Sequence, residues 1–180
     1  MRKLIAVLLL TMGLLLLVGC ETVPNNMKRE VIADADLLAT SHQAAEALIT
    51  KAGGRLQPSR PVIAASFVNI DNLFQSSTFG RMVSQQVVTQ FSNKGFTVIE
   101  MLLRKNVYIK SQSGEFLLSR ELQNISAEHN AQAVIVGTYA QGSRSLFVTA
   151  KVIDAVTNIV IASHDYVLPI GPDTSYMLRN

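Results

Sequence analysis

The spacing of apolar residues predicts two amphipathic helices in the first half of the chain. Over Val31–Ala52 these residues recur at intervals of three, four and seven positions, on one face of a helix that Gly53-Gly54 ends. The second set follows candidate N-caps at Ser76–Thr78 and precedes Lys94-Gly95, a pair typical of a helix end. Its members share helical spacing and are Phe79, Met82, Val83, Val87 and Phe91.

Short apolar runs rich in β-branched residues predict strands at Pro61–Val68, Phe96–Leu103 and Ala131–Ala140. The last run is almost continuously apolar, as in a strand that is covered on both faces. We also expect a small extended piece at Asn106–Lys110. A short helix is expected to begin after Ser119, as its cap, and to run through Glu128.

The C-terminal part of the chain changes to an alternating pattern. Over residues 146–153, apolar residues occupy every second position, as in a strand with one buried face. The segment Ile159–Leu168 is again expected to be extended. The intervening DAVTN segment contains turn residues, and Asn158 suits a left-handed turn position, so we expect an antiparallel hairpin. Helices between the early strands and a hairpin at the end predict a single α/β domain. It has one mixed sheet with helices packed on it, in the rough order αβαβαβββ.

An apolar run at the N-terminus has a different character. Arg2 and Lys3 precede the run Leu4–Val18, and Gly19 then supplies a small residue before Cys20. This layout is typical of an export signal, and the run is shorter than the roughly 20 residues that a membrane-spanning helix needs. We therefore expect residues 1–19 to be a cleaved signal peptide.

Cys20 is the only cysteine of the chain, and the sequence LVGC that ends in it resembles the bacterial lipobox. The resemblance implies that the thiol is acylated and that Cys20 becomes the mature N-terminus; an ordinary signal peptide with a chance cysteine is the alternative. Two or three acyl chains anchor a protein stably, whereas one does not. Glu21, in place of an aspartate, implies the periplasmic face of the outer membrane rather than retention in the inner membrane.

The remaining chain divides into a tether, a domain and a tail. Residues 20–30 are polar and include Pro24, residues 31–170 carry the predicted elements, and residues 171–180 are expected to be a C-terminal tail. Loss of Arg2 and Lys3 with the signal peptide lowers the formal net charge from +3 to +1, which gives no reason to expect a nucleic-acid partner. With Cys20 acylated, no thiol is left for a disulfide or a cysteine metal site.

Three patterns resemble catalytic or binding motifs but lack the required geometry. Ser163-His164-Asp165 has the residue types of a hydrolase, yet neighbours on a strand face opposite sides of a sheet. Gly137–Arg144 has the glycine spacing of a phosphate loop, but it lacks the lysine and leads into a strand, so a turn is expected. The histidines, His42, His129 and His164, have no short ligand spacing. We therefore expect no enzyme activity, cofactor, metal or small-molecule substrate.

The polar stretch Asn69–Arg81 is a candidate for binding a partner protein. It places Leu73 and Phe74 among small polar residues, where a solvent-facing apolar patch can dock a partner. The candidate contact residues are Leu73, Phe74 and Arg81. In the alternative interpretation, Leu73 or Phe74 only packs the loop onto the core.

Five blocks of the sequence, in order, resemble the FlgO family of outer-membrane lipoproteins. They are ASFVNIDNLFQSSTFGRMVSQQV, GFTVIEMLLRKNVYI, GEFLLSREL, AQAVIVGTYA and VTAKVIDAVTNIVIASHDYVLP, and the similarity extends over roughly Ala33 to Pro169. It implies a protein without catalytic residues that acts at the outer membrane in flagellar assembly or stability, and so in motility. Its partners would be flagellar or envelope proteins.

The domain is also distantly similar to the N-terminal domain of TolB and to CsgG-type lipoproteins. That similarity implies an alternative function as an envelope secretion or assembly module. An envelope hydrolase is a third hypothesis, and it needs a cleft with convergent catalytic groups.

Overall fold

The computed structural model describes residues 32–101, 108–110, 116–118 and 120–179. The predicted signal peptide, Cys20 and the predicted tether lie outside the described residues, as does Ser119, the predicted helix cap. Within these described ranges, no helix has the length and apolar character needed to cross a membrane.

Four helices are described: α1 (Leu37–Ala52), α2 (Thr78–Asn93), α3 (Arg120–Glu128) and α4 (Pro172–Met177). A short 3-10 turn, Gly53–Arg55, follows α1. The helix predicted from Val31 begins only at Leu37, because the Asp36 carboxylate caps the helix by accepting a hydrogen bond from the Ala39 amide at 2.9 Å. Ser77, one of the three candidate caps, caps α2.

Six strands form one mixed sheet in the order β3-β1-β6-β7-β8, with β2 also paired to β6. Strands β1, β2 and β3 are parallel to their partners, and β7 is antiparallel to its two neighbours, β6 and β8. The predicted fold class, a single α/β domain with a mixed sheet, is confirmed. The strands of this sheet are β1 (Val62–Ala65), β2 (Val68–Asn69), β3 (Val98–Met101), β6 (Ala133–Gln141), β7 (Ser145–Asp154) and β8 (Val160–Pro169).

A separate antiparallel pair, β4 (Tyr108–Lys110) and β5 (Phe116–Leu118), completes the strands. The extended piece predicted at Asn106–Lys110 corresponds to β4, whereas the sequence patterns did not predict β5. The segment expected to be a C-terminal tail contains α4.

The predicted strand Pro61–Val68 is interrupted at Ser66 and Phe67. There the Phe67 amide donates to the Gly80 carbonyl at 3.3 Å, and the Phe67 carbonyl accepts from the Ser76 hydroxyl at 2.7 Å. The strand therefore divides into β1 and β2, because Gly80 of α2 and Ser76 of the preceding loop take the backbone hydrogen bonds of Phe67.

Hydrophobic residues pack on both faces of the sheet. Helices α1 and α2 cover one face, where Leu48, Phe79 and Phe91 are fully buried against residues of β6, β7 and β8. On the other face, Leu122 of α3 packs with Ile63, Val134 and neighbouring residues. Continuous burial of the first half of β6 follows from coverage on both faces, as its apolar run predicts.

The predicted hairpin is formed by β7 and β8. Its turn contains Asn158 with a φ of 60°, the left-handed conformation that the sequence predicts. The Asp154 carboxylate closes the turn by accepting from the Val156 and Thr157 amides at 3.0 and 2.7 Å. Those bonds lower the pKa of Asp154 below its ordinary 3.8, chiefly through the Thr157 amide.

Candidate interaction surfaces

The loop between β2 and α2, residues 70–77, is held by its own backbone and by side-chain amides. The Asn69 amide donates to the Gln75 carbonyl at 2.9 Å, and the Asn72 and Gln75 amides bond back within the loop. The side chains of Asn69 and Asn72 accept from the amides of Asp71 and Phe74, which are Asx turns. The loop therefore has a defined conformation.

The core fastens this loop at its second half. The Tyr139 hydroxyl of β6 accepts from the Ser77 amide at 3.0 Å, and the Tyr139 ring packs edge-on against Phe79 with centroids 5.5 Å apart. The ring of Phe67 lies against Gly137, where an added Cβ would overlap it. Gly137 thus allows a phenylalanine to anchor the base of the loop.

The three predicted contact residues of the loop have different surroundings. Leu73 is half-buried and packs on the hydrophobic cluster beneath α3. The Arg81 guanidinium is exposed but donates to the Ser76 carbonyl at 3.0 Å and to the Thr78 hydroxyl at 2.9 Å. Phe74 is 72 % exposed. Leu73 and Arg81 therefore stabilise the loop, and Phe74 is the apolar side chain among the three that is presented to solvent.

A second exposed apolar set lies on the sheet, on the face opposite α1 and α2. The strand register aligns Ala140, Phe147 and Val167 in one cross-strand row, and Ile70 extends it because its amide donates to the Tyr139 carbonyl at 3.0 Å. Phe147 and Val167 are more than half exposed, and Ile70 is also exposed. We call this part of the sheet the open sheet face.

Polar residues lie beside that row on the open sheet face. Thr138, Thr149 and Asp165 form the next row, and Lys151 follows on β7. A shallow groove of about 150 Å³ lies here. It is lined by Ile70, Thr138, Thr149, Lys151, Ile153, Asn158 and Val160. A mixed surface of this kind, with apolar and charged side chains together, is typical of protein contacts.

One feature of the sequence indicates this surface, although the spacing of apolar residues alone did not identify it. Phe147 is an aromatic residue at a position of β7 that alternates with the buried residues Leu146 and Val148. Its pairing with Val167 depends on the register of the hairpin, which fixes which side chains are neighbours.

The residues that resemble a hydrolase triad do not converge. On β8, Ser163 and Asp165 lie on the open sheet face, whereas His164 lies on the helix-covered face and stacks with Tyr166 at a centroid distance of 6.0 Å. Burial raises the pKa of the Tyr166 phenol above its ordinary 10.0, so this hydroxyl stays protonated. This cluster therefore offers no activated nucleophile.

The segment with phosphate-loop glycine spacing lies in β6 and in the turn after it. Gly137 to Gln141 belong to β6, and only the following residues, Gly142 to Arg144, form the expected turn, closed by a Gly142 amide to Ser145 carbonyl bond of 2.8 Å. In the part of the chain that the structure describes, no group of three or more His, Cys, Asp or Glu side chains is placed to hold a metal ion.

The N-terminal segment of the domain is joined to α4 by Asp34. Its two carboxylate oxygens accept from the Asp173 and Thr174 amides, each at 2.9 Å. Burial acts to raise the pKa of Asp34, but hydrogen bonds from Thr174, Asp173 and Gly171 outweigh it and lower the pKa below 3.8. Sequence patterns did not reveal this contact, because Asp173 and Thr174 lie 139 and 140 positions after Asp34.

Comparison with known proteins places this domain in a described family. The family described as "FlgO protein" matches residues 42–173, and no curated protein sequence matches the chain. Among solved structures, the C-terminal domain of LpoB from Salmonella enterica is similar with a TM-score of 0.53 at 10% identity, over 74% of this chain and 98% of that one. The same domain from Escherichia coli gives 0.52 at 10% identity, over 77% and 100%. These two likenesses show a shared fold. The expected similarity to TolB and CsgG-type domains stays a prediction.

Proposed function

We propose that this chain, which belongs to the FlgO family, is an outer-membrane lipoprotein whose periplasmic domain supports assembly or stability of the bacterial flagellum, and hence motility. The observation that carries this proposal is the family match over residues 42–173, which include both exposed apolar surfaces. In this function the protein works by contact and catalyses no reaction, in keeping with the separation of Ser163 and Asp165 from His164.

The proposed anchor is the lipid on Cys20, after removal of residues 1–19. The lipobox-like LVGC sequence and the uniqueness of the cysteine support it. Acyl chains in the outer membrane would hold the domain on the periplasmic side, at the end of the tether 20–30.

The proposed protein contact uses the open sheet face, and the β2–α2 loop supplies a separate contact surface through Phe74. Phe147 and Val167 offer apolar area, and Lys151 and Asp165 offer charges of both signs that give such a contact specificity. Leu73 and Arg81 contribute indirectly, because they stabilise the loop. A flagellar or envelope protein is the proposed partner of the open sheet face.

Deletion of the gene in the source bacterium tests the function. We expect normal growth but a smaller swimming zone in soft agar, restored by the wild-type gene. A deletion strain that swims normally would contradict the flagellar role.

Substitution of Phe147 tests the contact surface. Phe147→Asp places a charge in the centre of the apolar row and should restore swimming poorly. Val156→Asp is the matched control, because Val156 is 83 % exposed in the β7–β8 turn, away from this row, and it should restore swimming fully. Equal swimming with both variants, at equal protein levels, would exclude the open sheet face as the contact.

A further inference from the structure

Four segments of the domain meet at one end of the sheet. Strands β1, β6 and β8 run in the same direction, so the segments that follow them lie together: the β2–α2 loop, the turn Gly142–Arg144 and α4. The Ile170 amide bonds to the Arg144 carbonyl at 3.0 Å and joins two of them. Helix α1 also begins here, because Asp34 binds the first turn of α4. We call this the tether end.

The chain enters the folded domain at the tether end. Asp34 fixes the entry point beside α4, and Ile32 lies twelve positions after Cys20. Such a segment reaches about 40 Å when fully extended. A ten-residue strand such as β8 is about 33 Å long, which is less than the reach of the tether. The tether by itself therefore keeps the domain near the bilayer but does not fix its orientation.

Exposed apolar side chains from three separate elements lie at the tether end. Phe74 of the loop is 72 % exposed, Tyr176 of α4 is 69 % exposed, and Leu38 of the first turn of α1 is also exposed. Single exposed apolar residues are ordinary, but aromatic and aliphatic side chains grouped beside a lipid tether have a membrane surface within reach. Tyrosine is well suited to the boundary between headgroups and acyl chains, and phenylalanine and leucine are common among the apolar side chains that insert there.

The charges at the tether end favour apolar insertion over electrostatic attraction. Arg81, Arg144 and Arg179 are exposed there, and so are Asp36, Asp71 and Asp173, so that neither sign dominates. A surface of mixed charge gains little from anionic lipids in particular. Contact with the bilayer would therefore depend on Leu38, Phe74 and Tyr176.

We propose that the tether end is seated on the phospholipid surface that carries the lipid anchor, with Phe74, Tyr176 and Leu38 inserted among the headgroups. This inference rests on the proposed anchoring through Cys20 and identifies the partner of Phe74. It fixes the orientation of the domain: the β7–β8 turn points away from the bilayer, and the open sheet face stands upright and accessible to a protein partner.

Tryptophan fluorescence tests this orientation, because the chain contains no tryptophan and one cysteine. Residues 32–179 contain both hydrophobic clusters, so a chain that begins at Cys20 keeps the folded domain complete. That chain is coupled through the Cys20 thiol to a maleimide lipid in phosphatidylcholine vesicles, with or without brominated phosphatidylcholine as the quencher. Phe74→Trp and Tyr176→Trp report on the tether end, and Val156→Trp, in the β7–β8 turn, is the control.

The tryptophans at positions 74 and 176 should be quenched by the brominated lipid at least about twice as strongly as the control. Equal or weaker quenching than the control would overturn the proposal. If these tryptophans became shielded from solvent in the absence of vesicles, and more so at higher protein concentration, the result would indicate self-association and would also overturn the proposal. Because chemical coupling supplies the anchor in this experiment, its result does not depend on lipidation in cells. A failure of lipidation in cells would be revealed separately, by the absence of palmitate label on the exported protein.

Discussion

At the scale of single residues, Phe67 determines where the exposed loop is held. Its ring is fully buried against Gly137 of β6, and its backbone bonds to Gly80 and Ser76 at the start of α2. An added Cβ at Gly80 would overlap the Phe67 carbonyl, so both glycines are needed for close approach. Phe67 thus contacts Gly137 through its ring and Gly80 through its backbone carbonyl, and it positions the loop that presents Phe74.

Substitution of Gly137 tests this arrangement. Gly137→Ala should lower the free energy of unfolding by about 2 kcal/mol or more, because the new methyl group overlaps the buried Phe67 ring. Gly54→Ala is the control, since nothing lies within 4 Å of the added atom, and its effect should stay within about 0.5 kcal/mol. Urea denaturation measures both variants. Equal stability of the two would show that Phe67 does not need the space at Gly137.

The structural role of a residue could be predicted from the sequence where the residues that it contacts are close along the chain. Ser77 as a cap and Asn158 in a left-handed turn are examples, because each acts on residues within a few positions. The contact between Phe67 and Gly137 joins positions 70 apart, so no local pattern reveals it. The same holds for the row that contains Phe147 and Val167, which exists only once the hairpin register is set.

At the scale of elements, the edge strand β8 is protected from further strand pairing. Lys51 of α1 donates to the Ser163 carbonyl at 2.7 Å, and Pro169 at the other end has no amide to donate. Such features discourage edge-to-edge association of sheets. Contacts of this domain are therefore expected through side chains of the open sheet face rather than through the strand edge.

Asp34 links the segment before α1 to α4, and its titration gives a stability prediction. The pKa of Asp34 is lowered in the folded protein, so the ionised carboxylate stabilises the fold at neutral pH. This contribution is present above the ordinary pKa of 3.8 and is lost as the pH falls through the folded value. Asp34→Ala should cost about 1 kcal/mol at pH 7, as for loss of a helix cap, and less below pH 3.8.

Thermal or urea unfolding between pH 7 and pH 2.5 measures this difference. Asp173→Ala is the matched control, because it removes a nearby exposed carboxylate while residue 173 keeps the amide that donates to Asp34. If the two variants show the same dependence on pH, Asp34 does not stabilise α4 as its hydrogen bonds indicate.

At the scale of the whole molecule, the fold separates three surfaces. Helices α1 and α2 cover one face of the sheet, the open sheet face presents Phe147 and Val167, and the tether end presents Phe74 and Tyr176. In the proposed function, the lipid anchor and the tether end hold the domain on the outer membrane while the open sheet face contacts the flagellar partner. The proposed function therefore depends on anchoring.

The swimming zone of cells that produce only the Cys20→Ser form, at wild-type protein level, tests this claim most directly. These cells should form a zone as small as that of the deletion strain, because the domain is no longer held at the outer membrane. Full swimming with the Cys20→Ser form would contradict the proposed dependence on anchoring.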